Sequence, residues 1–560
     1  MIDKNGETTG LGRPGAREAA LLLAILALSV VLRLPGLDQR GAWDADQGTD
    51  MLVLQGLVDR GEVPLLGPKT SIGTFHHGAV YYYLLAPAAY LSDADPVAVT
   101  TEIALFGMGA VVATWWLARL LAGPVAGLAA ALLLAVSPAG IEASTFIWNP
   151  NLIPFASAVA FAAALQSVRG RHARWWLLSG LGAMVVMQCH VLGVVVIPPL
   201  VVAWLVDVRG RRRRTEALGS AIGAGIGGLL IVAAGYLPLL AYELQHDFAE
   251  TRAIVAYLAG GGSGAASGVL ARIGIVGLRS IAWPGAGLLT DRLVLAFATV
   301  VIAIGLGVVA VVVGRRHGRL GAAWVAGSIG WSIVALALFA PSLATITPGL
   351  PNDHYHSFLD PLVLALVGAG LAGVAGLAGV AGLPGIAAPT EAMAPAEVRA
   401  AADVGAAGAA AQGDGSTTGR RILAAGLMIA LAVISVSAWP PAVSPDGGWR
   451  LVAQAADRTA GSVGDSGAPI ALVGIPPFKN ANALRFPLEH IGVSVQSSPD
   501  PTTASRVVIV CDPLFADVVG AACGGPAEEE WIAANAPGLT QIDRFDAGSR
   551  RVISTYGETP

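Results

Sequence analysis

Apolar runs long enough to cross a bilayer recur along this 560-residue chain, and no water-soluble core absorbs so many of them. Read in a window of about 19 residues, they number about eleven. Their limits fall near 19–37, 99–121, 123–138, 152–167, 175–188, 190–206, 217–242, 292–314, 320–341, 357–383 and 421–440. Charged residues make up 13% of the chain, whereas a soluble domain carries about a quarter. A string of soluble domains is therefore excluded. The net charge of −4 gives nucleic acid no reason to bind. The first run lacks a small-residue cleavage site and is followed by many others, so it reads as an uncleaved helix. The fold class expected is an α-helical polytopic membrane protein.

Loop charge sets the expected orientation. Arg119, Arg169, Arg171, Arg174, the run Arg211 to Arg214, Arg315, Arg316, Arg319, Arg420 and Arg421 all fall on one side of this scheme. Positive residues mark the cytoplasmic face, which puts the N-terminus inside. An odd number of spans then puts the tail outside. The Ala, Gly and Arg bias suits a GC-rich bacterial genome, so a multi-pass place in a bacterial plasma membrane is expected.

The domains expected are a cytoplasmic N-terminus (1–18), a membrane module (19–383) with outer loops at 38–98 and 243–291, and a disordered Ala/Gly/Pro-rich cytoplasmic loop (384–420). A last span (421–440) and an extracytoplasmic α/β domain (441–560) complete the chain. In the first outer loop, the Tyr81 to Leu85 stretch reads as an interfacial helix ending at Pro87. In the second, Val269 to Ile281 reads as an amphipathic surface helix carrying Arg272 and Arg279. In the tail, Trp449 to Ala460 and Glu528 to Ala536 read as helices, and Ile470 to Val473 and Val507 to Val510 as strands. Cys511 and Cys523 are either bridged or two separate buried thiols, and both readings stand.

The first outer loop opens on Trp43-Asp44-Ala45-Asp46-Gln47-Gly48-Thr49-Asp50, acids placed beside hydrocarbon, where they are costly to keep. Arg33-Leu34-Pro35-Gly36 ends the first span, and Trp-x-x-Asp follows. Next come His76-His77-Gly78-Ala79-Val80-Tyr81-Tyr82-Tyr83, Ser137-Pro138 at an outer turn, and Asp353 to Pro361 before a late span. This order resembles the GT-C class of membrane glycosyltransferases, which includes protein O-mannosyltransferases and lipid A aminoarabinose transferases. The resemblance covers roughly residues 19–383 and points to a bacterial branch. It implies transfer of a sugar from a polyprenyl-phosphate carrier to an outer acceptor, with inversion at the sugar carbon. An Asp in the first outer loop, usually followed by Glu, is the family's base or acceptor-positioning group. Asp46-Gln47 occupies that place, so one acid is missing. His77-Gly78 stands where the family has Pro-Pro.

Such a transfer needs a carboxylate to take the acceptor proton and cations to hold the departing phosphate. Asp46 is the first choice for the carboxylate and Asp44 the second. The residues alone favour a helix cap near Thr49 for both acids; the resemblance favours the base. For the phosphate and substrate the candidates are Lys69, His76, His77, Arg252, Glu243, His354, Tyr355 and His356. Each also has a bland reading as a solvated loop charge or helix end. Lys69 stands out because Lys4, Lys69 and Lys479 are the chain's only lysines. Glu142 and Trp148-Asn149-Pro150-Asn151 either line a sugar site or satisfy backbone groups at a break. His354 and His356 lack a third ligand at metal spacing, so no metal and no cofactor is expected. The expected partners are a polyprenyl-phosphate-linked sugar, an envelope glycan, lipid or protein acceptor, and membrane lipids. Two other readings compete. A translocator or transporter of lipid-linked sugars would carry ionisable residues in its spans and paired repeats, which are not seen. A non-catalytic relative that binds the carrier lipid is kept open by the Gln47 and His77-Gly78 departures.

Overall fold

The computed structural model describes residues 13–70, 74–170, 172–213, 218–259, 268–287, 292–314, 316–340, 343, 353–377, 396–464, 468–477, 479–497, 499–500 and 504–558. The first helix, α1 (Ala16–Arg33), leads to two helices outside the expected spans, α2 (Ala45–Arg60) and α3 (Val80–Ser92). Then follow α4 (Pro96–Ala122), α5 (Pro124–Ala135), the short α6 (Pro138–Glu142), α7 (Ile153–Gly170), α8 (Trp175–Cys189) and α9 (Ile197–Arg213). A bent pair, α10 (Leu218–Ala234) and α11 (Leu237–Gln245), precedes α12 (Ala249–Ala259) and α13 (Val269–Ala286). The membrane module closes with α14 (Leu293–Val312), α15 (Arg316–Phe339), α16 (Asp360–Val374) and α17 (Ala396–Ser437). A helix occupies each of the eleven expected segments. Among the described residues seven helices are long and apolar enough to cross a membrane, or eight if the bent pair counts as one span. The protein is thus a multi-pass membrane protein, with α5 and α8 as shorter apolar helices.

Burial separates the centre of the bundle from its rim. The window Tyr355–Val374 is 94% buried and Thr417–Ser437 only 17%, so α16 is the central helix and α17 a peripheral one. Glycine explains how α16 fits there. A Cβ on Gly368 would meet the Ala126 carbonyl oxygen at 2.4 Å, and one on Gly370 the Leu306 carbonyl oxygen at 2.2 Å. Small residues let these helix backbones touch. Arg33, fully buried at the end of α1, donates to the carbonyls of Leu134 (3.0 Å) and Ala135 (2.7 Å). Those carbonyls belong to the last turn of α5, where intrahelical donors run out, and the guanidinium caps them.

Two boundaries differ from expectation. Helix α3 runs through Pro87 to Ser92, and the Ala88 amide beside the proline donates to Glu102 Oε2 of α4 (3.2 Å). Helix α17 begins at Ala396, inside the stretch expected to be a disordered loop. Its alanine content favours helix, while 378–395 lie outside the described residues.

The tail folds as the expected α/β unit. It contains α18 (Gly448–Val463), β1 (Ala471–Ile475), α19 (Asn482–His490), β2 (Arg506–Cys511), α20 (Ala516–Val519), α21 (Pro526–Asn535), β3 (Thr540–Asp546) and β4 (Val552–Gly557). The sheet order is β1-β2-β4-β3, with β1 and β2 parallel and the other pairs antiparallel. Of the two cysteine readings the bridge is the one realised, Cys511 to Cys523.

Candidate functional site

The N-terminus of α2 is fixed before any acid there can do chemistry. Asp44 is its N-cap and accepts from the Ala45 amide (2.8 Å), while the Asp44 amide donates to Gln47 Oε1 (2.8 Å). This reciprocal arrangement is a capping box. Gln47 does more than cap. Its Nε2 donates to the Ile147 carbonyl (2.8 Å), tying α2 to the turn before Trp148. A glutamate in that place would lack the donor once ionised, so the amide has a structural reason here.

Asp44 and Asp46 then part company. Burial alone would raise the Asp44 pKa, but the Lys479 ammonium, the Ala45 amide and Arg550 together hold it below the usual carboxylate range. Lys479 Nζ lies 2.5 Å from Asp44 Oδ2, and Arg550 3.6 Å from the same oxygen. Asp46 is exposed and its carboxylate makes no hydrogen bond or ion pair among the described residues. The protein around it nevertheless raises its pKa by desolvation, the Asp44 charge adds to this, and Lys479 opposes it. An accessible carboxylate with a raised pKa is suited to accepting a proton. One turn on, Asp50 is buried and accepts from the hydroxyls of Tyr81 (2.9 Å) and Tyr82 (2.8 Å).

A second group of candidates meets at the loop before α3. Lys69 and His76 form an antiparallel bridge, and the Lys69 side chain is exposed with no ion pair among the described residues. His76 is committed to Glu250 of α12 through both its amide (2.7 Å) and its Nδ1 (2.9 Å). His77 is buried; desolvation, then the neighbouring His76, lower its pKa to about 4. It is therefore neutral near pH 7, and its buried Nδ1 has no hydrogen-bond partner among the described residues. Its ring lies 5.0 Å from that of His190, which lies 4.9 Å from Tyr355. Gly78 fits here because a Cβ would fall 1.8 Å from Gln188 Oε1, a side chain fully buried below it.

The remaining candidates scatter. His356 is buried and faces Trp283 edge-on at 6.5 Å. Glu243 is buried and accepts from the amide and hydroxyl of Thr251, both at 2.7 Å, which clamps α11 to α12. Arg252 is exposed and donates to the carbonyl of Asp247 in its own loop. The side chain of His354 lies outside the described residues.

Sequence reasoning undervalued α13. Arg272 and Arg279, seven residues apart and so on one helical face, are buried rather than turned to solvent. The helix packs against α14, α15, α16 and the 3-10 turn Asp353–Leu359. Arg279 donates to the Leu343 carbonyl (2.5 Å), whereas Arg272 Nε has no hydrogen-bond partner among the described residues. The signal was the seven-residue spacing of two cations within an apolar pattern. Between α13 and the Ile147 turn lies a cavity with about 730 Å³ of atom-free space, its open mouth included. Trp148, Asn151, Glu142, Trp283, Ser357 and Asp360 are among its lining residues.

Residues 76–237 match the family model described as dolichyl-phosphate-mannose-protein mannosyltransferase. Among curated proteins no sequence match is found. The crystal structure of ArnT from Cupriavidus metallidurans in the apo state is similar at a TM-score of 0.55 and 14% identity, covering 96% of this chain and 98% of that one. The same protein bound to undecaprenyl phosphate is similar at a TM-score of 0.56, with the same identity and coverage. The chain has the fold of the GT-C membrane glycosyltransferases.

Proposed function

We propose that this protein is an inverting glycosyltransferase that moves a sugar from a polyprenyl-phosphate carrier to an extracytoplasmic acceptor. The observation that carries the reading is Asp46: an accessible carboxylate with a raised pKa, held on a helix whose N-terminus is fixed on both sides. In the reaction an acceptor hydroxyl or amine attacks C1 of the donor sugar, and its proton passes to Asp46. The bond from C1 to the phosphate oxygen breaks, and the lipid phosphate leaves with the bonding electrons. The cations proposed to hold that phosphate are the accessible Lys69 and the buried Arg272 and Arg279 of α13. Buried charge of this kind favours an anionic ligand. No metal is assigned a step. The rings of His77, His190 and Tyr355 follow one another beyond the loop that carries Lys69, with the His77 amide donating to the Pro68 carbonyl. The family resemblance at 76–237 and the ArnT-like fold with undecaprenyl phosphate support a polyprenyl-phosphate donor. The arginine distribution supports a cytoplasmic N-terminus with the C-terminal domain outside, and the Ala, Gly and Arg bias supports a bacterial plasma membrane.

The test is native mass spectrometry of the full chain in lipid nanodiscs, wild type beside Asp46→Asn. Each is incubated with extracted bacterial polyprenyl-phosphate sugars and an envelope acceptor fraction. Both proteins are expected to bind carrier, and only the wild type to release lipid phosphate, with at least a hundredfold loss in the variant. Equal release by both proteins removes Asp46 from the chemistry, and absence of carrier binding overturns the transferase reading.

A further inference from the structure

Lys479 is carried by the C-terminal domain, 435 residues along the chain from the acid it touches. Its ammonium lies between Asp44 Oδ2 (2.5 Å) and Asp512 Oδ2 (3.5 Å), with the Phe515 ring 5.5 Å away. Asp512 directly follows Cys511, so the bridge to Cys523 anchors the strand end that presents it. Arg550 comes to Asp44 from the turn between β3 and β4. Around the contact, Asn482 Nδ2 donates to Thr49 Oγ1 (2.9 Å), and Arg551 donates to the carbonyls of Trp43 and Asp446. A domain held at this many points on the first turn of α2 does more than cover it.

We infer that Lys479 is a positioning residue for Asp46: paired with Asp44, its ammonium offsets part of the repulsion between two acids on one helical turn, which makes the C-terminal domain part of the acid site. The inference rests on the reading of Asp46 as the base. The charged and titratable groups that interact with Asp46 are Asp44 and Asp50 on α2, Lys479 of the C-terminal domain and Tyr82 of α3, while Arg550 pairs with Asp44 and Asp512 with Lys479. Among these Lys479 is the cation acting on Asp46 itself. Loss of this cation favours the protonated acid, so the Asp46 titration moves up by about one pH unit.

Dicyclohexylcarbodiimide, which modifies protonated carboxyl groups, reads that titration without any assumption about turnover. The full chain in nanodiscs is labelled from pH 4 to 9, and the Asp46 peptide is quantified by mass spectrometry in wild type, Lys479→Met and Lys479→Arg. The midpoint is expected to rise in Lys479→Met and return in Lys479→Arg. A midpoint unchanged in Lys479→Met overturns the inference. If limited proteolysis shows that Lys479→Met releases the domain, Asp44→Asn decides instead. Removing the neighbouring acid must then lower the Asp46 midpoint, and an unchanged midpoint again overturns the inference. Where the wild type also releases lipid phosphate, the acid limb of its pH–rate profile shifts with the labelling. A wild type that labels as expected but releases nothing counts against the transferase reading alone.

Discussion

Asp50 shows how one buried residue sets a pH dependence. Burial pushes its pKa up to about 8; the Tyr82 and Tyr81 hydroxyls oppose the shift and the Asp46 charge adds to it. An unfolded chain releases this proton near about pH 3.9. Between those values the native state binds the extra proton, so stability falls as pH rises toward 8 and is highest below the unfolded value. Each pH unit within the window costs up to about 1.4 kcal/mol. Asp50→Asn keeps an acceptor and adds a donor for the two tyrosines while removing the titration. Thermal melts of wild type and variant at pH 5 and pH 8 check this. The wild type is expected to lose melting temperature between the two, and the variant to lose clearly less. Equal losses mean that Asp50 does not set the dependence. The acid itself was legible in the sequence as part of a cluster. Its partners were legible only as a tyrosine run, because nothing in a sequence tells which ring of Tyr81-Tyr82-Tyr83 turns inward.

Among the elements, α2 carries the site and Gly48 controls what sits on it. In an exposed helix interior, alanine in place of glycine stabilises by about 1 kcal/mol. Here the new Cβ would fall 2.0 Å from the Asn482 carbonyl oxygen at the start of α19. That atom is backbone, so it cannot swing aside as a side-chain end would, and overpacking of this kind costs about 1–3 kcal/mol. The clash outweighs the propensity gain. Gly48→Ala is expected to separate α19 from α2, seen as faster hydrogen exchange in α19 with α16 unchanged. A variant that is as protected as wild type means the two helices are not in contact. The helix expected to start near Thr49 begins at Ala45, with Asp44 alone as its cap. The spans and the two-strand core of the tail were readable, since each is a local pattern. The docking of α19 on α2 was not, because it joins segments that share no local signal. The burial of Arg272 and Arg279 was hidden for the same reason: an amphipathic pattern shows a face, not what covers it.

At the scale of the whole molecule, a membrane bundle and an α/β domain share one interface, and Trp43 is its centre. Its ring lies 4.6 Å from Trp449 and 6.0 Å from Phe486, and its indole nitrogen donates to the Ala483 carbonyl (2.9 Å). The residue is 3% exposed, although it belongs to a loop between two helices. Its backbone joins in, with the amide donating to Asp446 Oδ2 (2.8 Å) and the carbonyl accepting from Arg551. The exposed Arg450–Asp38 pair at the edge of the same contact contributes at most about 1 kcal/mol. Removing the indole costs about 3–5 kcal/mol, so the aromatic contact dominates. Trp43→Ala keeps the backbone hydrogen bonds, and the bundle has its own core around α16. The domain should therefore loosen without unfolding the bundle. Hydrogen exchange in α18 and α19 is expected to rise at least tenfold while α4 and α16 stay as protected as in wild type. Loss of protection in all four together means that domain and bundle fold as one unit. Because Trp43 immediately precedes the Asp44 cap, loosening it should also free Lys479 from Asp44. The Asp46 titration would then move upward in Trp43→Ala as it does in Lys479→Met, linking the packing of the whole molecule to the chemistry of one carboxylate.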